Sequence, residues 1–245
     1  MNISFFPESL IKIQGWPITN TLIMAWLAMT FLIVFSGFVT RRLREVPGKV
    51  QCLVEVFIEE MVSFMTTVTG DKEKTKRFFP LVVTFFLFIL ISNWMGILPG
   101  VGSVGIKAVH EQQETIIPLL RSTNSDLNMT LALGILSVIA VQIFGIITVG
   151  FFKHASHFIS FKSPIDFFTG ILEIISEMAK IISFSFRLFG NIFAGEVLIT
   201  SMFFLVPLFV PLPFLFLEIF VGFIQALVFS MLTLVFLTVA TSKNH

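Results

Sequence analysis

The sequence predicts an all-α, polytopic integral membrane protein. Hydrophobic residues make up 56% of the 245-residue chain and charged residues only 13%, about half the charged share of a soluble domain. Mean hydropathy is +0.96. The apolar residues are gathered into runs long enough to cross ~30 Å of hydrocarbon, and clusters of charge separate the runs. The net charge of +1 therefore says less than the positions of the charges. A lone cysteine, Cys52, excludes an internal disulfide and a cysteine-built metal site. Neither GxxxxGK[ST] nor GxGxxG occurs, so no nucleotide-hydrolysing catalytic site of the chain's own is expected; no cofactor, metal or nucleic-acid partner is expected either.

We read residues 1–245 as a single membrane domain. Residues 1–20 lack the basic, apolar and small-residue order of a secretory signal and form an N-terminal segment on the outer side. Residues 21–40 make the first crossing, stopped by Arg41, Arg42 and Arg44. Over residues 48–69 the pattern changes. Val50, Leu53, Val54, Phe57, Ile58, Met61, Phe64, Met65 and Val68 recur at helical spacing, while Gln51, Glu55, Glu59, Ser63 and Thr66 take the other face. That is the pattern of an amphipathic helix lying in the membrane interface. Lys72, Lys74, Lys76 and Arg77 precede a second crossing over 78–98, closed by Pro99-Gly100. Residues 101–127 read as a polar loop with turn-like clusters, and 128–152 as the third crossing. Lys153, His154, His157 and Lys162 form a solvated basic turn.

Ser163-Pro164-Ile165-Asp166 is a helix start, with Ser as cap, Pro in the first position and an acid three residues after the cap. Nothing clearly stops that helix before Pro207. Unbroken over 164–206 it would be ~65 Å long, twice the bilayer core, so it must tilt steeply, bend near Gly190 or Gly195, or both. Pro207, Pro211 and Pro213 turn the chain, and 212–241 returns as a second inclined helix. The expectation is five crossings plus one interfacial helix, the last two crossings forming a tilted hairpin.

Lys and Arg divide unevenly between the two sides. Arg41, Arg42, Arg44, Lys49, Lys72, Lys74, Lys76, Arg77, Lys153, Lys162 and Lys243 fall on one, against Lys12, Lys107 and Arg121 on the other. The positive-inside rule puts the first set in the cytoplasm, the N-terminus outside and the C-terminus inside.

The hairpin carries ionisable groups where hydrocarbon is expected: Glu173, Glu177, Lys180, Arg187, Asn191 and Glu196 on its first helix, Glu218 and Gln225 on its second. A charge at mid-bilayer costs roughly 2.5–3.5 kcal/mol even on lenient insertion scales. Such groups line water, pair with each other or carry ions. Glu173, Glu177, Lys180, Arg187 and Asn191 share one stripe, with Glu196 on the opposite side. Folding the hairpin about residue 209 sets Glu196 opposite Gly222 and Glu218 opposite Thr200. The order across the membrane is then acid, arginine, acid. Carboxylates in a wet cleft can exchange protons, whereas a guanidinium keeps its own at any ordinary pH. Two proton paths that end at a permanent cation cannot leak into each other, so a proton passes only on a moving component with its own acid. Plainer readings stand beside this one. Glu177 and Lys180 suit a simple ion pair, Glu173 can snorkel to the interface, and Arg187 could be a structural partner of some acid.

Residues 183–196, SFSFRLFGNIFAGE, closely resemble the signature of the a subunit of F-type ATP synthases, the membrane stator facing the c-ring. Residues 224–229 (IQALVF), 92–96 (SNWMG) and 125–130 (SDLNMT) resemble further signatures of that family. The resemblance implies that Arg187 separates two half-channels and meets the ring carboxylate. Asn191, Glu196, Glu218 and Gln225 would line the surrounding path, with Glu196 and Glu218 toward the outer channel, where Asp126 and Asn93 line the entrance. Glu173 would be the cytoplasmic-channel acid. Some family members carry histidine or glycine in place of Glu218. The resemblance further implies a role in coupling ion flow, H⁺ or Na⁺, to ATP synthesis or hydrolysis. The implied partners are the c-ring along 164–241, b-type subunits of the peripheral stalk and the rest of the synthase, in a bacterial plasma membrane. A secondary transporter and a membrane scaffold are the alternatives. The first would show related halves, and no internal repeat is found.

Overall fold

The computed structural model describes residues 9–13, 16–41, 43–98, 101, 105–110, 113–151, 164–205 and 209–242. The Pro99-Gly100 stop, the basic turn with Lys153, His154, His157 and Lys162, the Ser163 cap, Pro207, Arg42 and Lys243 lie outside the described residues.

The chain opens with a short antiparallel hairpin, β1 (Ser9–Ile13) and β2 (Trp16–Thr19). It then enters α1 (Asn20–Thr40), capped by the Thr19 hydroxyl, which accepts from the Leu22 N–H. Only the first third of α1 is buried, through Asn20, Thr21, Met24, Ala25 and Ala28; Phe31, Ile33, Val34, Phe35 and Phe38 face outward. An apolar flank without protein cover is what a helix bordering lipid presents. The amphipathic α2 (Lys49–Thr69) buries Met65 and stacks Phe57 on Phe86. It ends at Gly70, whose φ of 66° is the left-handed cap that glycine adopts without strain. Asp71 caps α3 (Lys72–Ile97) by accepting from the Glu73 N–H at 2.8 Å.

A second hairpin follows, β3 (Gly105–His110) and β4 (Gln113–Pro118), then a 3₁₀ turn (Thr123–Ser125) leading into α4 (Leu127–Val149). The 101–127 segment is therefore not a plain polar loop. The last helices are α5 (Pro164–Leu205, 42 residues) and α6 (Pro211–Ala240), which has Pro at its start. At 1.5 Å per residue α5 runs ~63 Å without interruption at Gly190 or Gly195. Helices α1, α3, α4 and α6 are long and apolar enough to cross a membrane; α5 is longer but carries more charge.

α6 is the central helix, packed against α3, α4 and α5. One apolar cluster joins Phe85, Phe86, Ile89 and Leu90 of α3, Phe184, Leu188 and Ile192 of α5, and Ala226 and Phe229 of α6. A second joins Met65, Phe78, Val82, Val141, Leu234 and Leu237. Phe184, Leu188 and Ile192 recur every four residues, so they make one buried stripe of α5 and leave its other side outside the core. Small residues let α4 and α5 approach. A Cβ on Gly134 would lie 2.6 Å from the Ser185 hydroxyl oxygen and 3.1 Å from the Ile181 carbonyl oxygen. Gly134→Ala is expected to destabilise the chain by ~1–3 kcal/mol through overpacking, read as earlier loss of folded protein on heating in detergent.

Candidate functional site

The site is built around residues 121–126, between the second hairpin and α4. Arg121, Ser122, Thr123, Asn124, Ser125 and Asp126 are all buried, so this polar stretch is tucked into the helices. Three contacts hold it. Thr21 Oγ1 of α1 donates to Asp126 Oδ2 at 2.9 Å, while Asp126 Oδ1 accepts from the Asn128 N–H at 2.9 Å and so caps α4. Asn124 Nδ2 donates to Asn93 Oδ1 of α3 at 2.6 Å. Ser122 packs on Gly96 of α3, where an added Cβ would lie 2.6 Å from the serine Cβ. Asn93 also donates through Nδ2 to the Gly222 carbonyl of α6 at 3.0 Å. The two family-implied entrance residues thus have definite structural tasks: Asp126 joins α1 to α4, and Asn93 joins the buried segment to α6.

Arg121 reaches α5. Its Nε lies 3.0 Å from Glu196 Oε1 and 3.3 Å from Oε2, and its Nη2 lies 3.2 Å from Oε2. Glu218, on α6, is 8% exposed. Its carboxylate rests against Gly195, where a Cβ would come within 2.5 Å of Cδ and both oxygens. That glycine is a notch that only a missing side chain provides. It brings Glu218 next to the residue preceding Glu196, one turn deeper than folding about residue 209 places it. Asn191 with Gln225, Phe184 with Phe229 and Lys180 with Phe236 keep nearly the same register, so the hairpin folds a few residues before 209.

Further along the hairpin, Asn191 Nδ2 donates to the buried Gln225 Oε1 at 2.7 Å. One turn before Asn191, Arg187 is exposed on the flank of α5 beside Phe186, with Nη2 3.3 Å from Ser183 Oγ. Among the described residues no carboxylate lies within ion-pair distance of it. Beyond Arg187, Lys180 Nζ pairs with Glu177 Oε1 at 2.6 Å and sits 4.6 Å from the centre of the Phe236 ring. The ion-pair reading of Glu177 and Lys180 is the one observed. Glu173 lies a turn before Glu177 and is half-buried.

The structure therefore gathers Asn93, Asp126, Glu196 and Glu218 at the end bearing the hairpins, and Asn191 with Gln225 next to Arg187; Glu173 lies on the far side. Sequence reading missed Arg121 and Gly195. Arg121 was counted with the loop charges, yet it directly precedes an uncharged polar run, Ser122 to Ser125, that leads into a helix. Among the described residues no three His, Cys, Asp or Glu side chains are grouped as metal ligands.

Apolar membrane-length helices that enclose a polar cluster, with an arginine on the open flank of the longest, define a polytopic membrane protein with a charged intramembrane site. Residues 22–238 match the family model of the ATP synthase A chain. ATP synthase subunit a of Moorella thermoacetica is 31% identical over 94% of this chain and 94% of its own length. Those of Geotalea daltonii and Gloeobacter violaceus are 32% and 35% identical, over 90% and 87% of this chain and 86% and 80% of theirs. The chain belongs to the ATP synthase subunit a family, the membrane-embedded component of that complex.

Proposed function

We propose that this chain is the half-channel stator of a rotary ATP synthase. It conducts protons to and from carboxylates on a neighbouring c-ring through two offset aqueous paths, with Arg187 between them. The observation that carries the reading is Arg187. It sits near the middle of a 42-residue helix, exposed and without a carboxylate in reach among the described residues. A guanidinium left against hydrocarbon costs several kcal/mol. A partner that brings its own acid to that flank removes the cost, and a ring carboxylate does so once per step.

The same geometry supports the two paths. Toward the hairpins lie Glu196, Glu218, Asn93 and Asp126; on the other side lie Glu173 and the Glu177–Lys180 pair. A proton bound by a carboxylate on either side cannot pass through Arg187, which neither gives up nor takes up a proton at ordinary pH. Five crossings follow if α5 joins the four apolar helices, with α2 in the interface. The excess of Lys and Arg around the α1–α2 and α2–α3 connections puts that end in the cytoplasm and the hairpins outside. The bacterial relatives favour a plasma membrane.

Passive proton flux through the membrane sector tests the outer path. Glu218→Gln is expected to slow flux by about a hundredfold, the scale of removing an acid–base group. Glu196→Asp, which keeps a carboxylate, should leave flux near the wild-type rate. Unimpaired flux in both variants would remove the outer acid path.

A further inference from the structure

We propose that Arg121 is a positioning residue of the outer path: by clasping Glu196 it makes that carboxylate an anchored anion and leaves Glu218 as the one that exchanges protons. The inference rests on the half-channel reading above and divides labour between its two outer acids.

Three observations lead to it. The first is the clasp. Arg121 Nε and Nη2 engage both oxygens of Glu196 at 3.0–3.3 Å, the bidentate form in which a guanidinium binds a carboxylate most firmly. A proton carrier must gain and lose an O–H in every cycle. An O–H on Glu196 would point a donor at N–H donors, and the guanidinium has no lone pair with which to accept it.

The second is that the guanidinium is not free to move aside. Arg121 is 7% exposed and opens the segment held at Thr21, Asn93 and Gly96. If Glu196 left the clasp, the buried cation would lose the carboxylate that engages its fork at two nitrogens, a loss that low-dielectric surroundings penalise.

The third is the contrast with Glu218. This carboxylate is more deeply buried than that of Glu196, and its Oε2 has no hydrogen-bond partner among the described residues. The Gly195 notch holds it beside the clasped pair without occupying that oxygen. Glu218 therefore has a free site for a proton. With Glu196 neutralised by Arg121, the cluster of these three groups alternates between one net negative charge and none as Glu218 releases and regains a proton. Without Arg121 it would have to hold two negative charges side by side.

The test uses membrane vesicles carrying the whole synthase, before and after removal of the soluble ATPase sector, with the amount of the chain in the membrane measured in parallel. Arg121→Gln and Glu196→Gln each break the clasp beside Glu218 while keeping one of its two charges. Each is expected to lower passive proton flux about tenfold, the scale of a strong pairwise coupling. The double variant Arg121→Gln/Glu196→Gln removes both charges of the clasp together and should recover most of the wild-type flux. Arg121→Lys, which keeps the charge but not the fork, should fall between wild type and Arg121→Gln. A double variant as slow as Glu196→Gln alone would show that Glu196 itself carries protons and would overturn the proposal. So would wild-type flux in Arg121→Gln. If a single variant fails to accumulate, the double variant compared with wild type decides in the same way. Arg187→Ala in the same vesicles keeps the two readings apart. Retained ATP-driven pumping there would defeat the half-channel reading, whereas the Arg121–Glu196 coupling is measured independently of it.

Discussion

Vesicles carrying Arg187→Ala are expected to lose ATP-driven proton pumping completely while the chain stays in the membrane at its normal level. The two halves of that statement have separate physical grounds. Assembly should survive because Arg187 contributes little to the fold. Its hydrogen bond runs to Ser183 on its own helix at 3.3 Å, while the buried stripe Phe184, Leu188 and Ile192 holds α5 against α3 and α6. Coupling should fail because, on the half-channel reading proposed above, the fixed cation is the barrier between the two paths. On that reading, a ring carboxylate in the variant would pick up a proton on one side and release it on the other with no rotation. Each charge that slips across 100 mV dissipates about 2.3 kcal/mol, so even a modest leak drains the gradient. Passive flux should persist in this variant when pumping is gone, which distinguishes a short circuit from a blocked path. Arg187→Lys should also be uncoupled, because a desolvated lysine can give up its proton and lacks the planar fork. Full pumping in Arg187→Ala vesicles would sink the assignment.

Gly195→Ala should have the next largest effect. The added methyl would fall within 2.5 Å of the Glu218 carboxyl carbon and both its oxygens. These atoms are the end of a flexible side chain, so the helices can keep their places and the carboxylate moves instead. Misplacing a reacting group by about 1 Å can cost on the order of a hundredfold in rate. Proton flux should therefore drop on that scale with little change in stability, opposite to Gly134→Ala, where the close neighbours include a backbone carbonyl. Gly37→Ala, with open space around the new methyl, is the silent control. Normal flux in Gly195→Ala would mean that the position of Glu218 is not critical.

The class, and the residues from which the candidate site is built, were legible from one dimension. A low charge fraction and membrane-length apolar runs are properties of composition and order, and they are enough to specify apolar helices. Arg187 stood out for the same reason, as a cation inside such a run. The Glu177–Lys180 pair was legible too, because a helix places residues three apart on one face. The buried segment was not. Residues 121–126 are polar and follow turn-forming residues, and local chemistry cannot separate a solvated loop from one tucked between helices. That difference lies in Thr21, Asn93 and Gly96, all on other elements and more than twenty residues away along the chain.

The amino-acid order alone thus determined that this is a helical membrane protein of the subunit a type with a permanent positive charge on its longest helix. The tertiary structure alone decided which groups that charge and the acids around it can meet. It placed Arg121 on Glu196, opened the Gly195 notch for Glu218, and left Arg187 facing outward. The physical reason is range. Burial and helical periodicity act over a few residues and can be read along the chain, whereas an ion pair or a notch depends on where two distant helices cross.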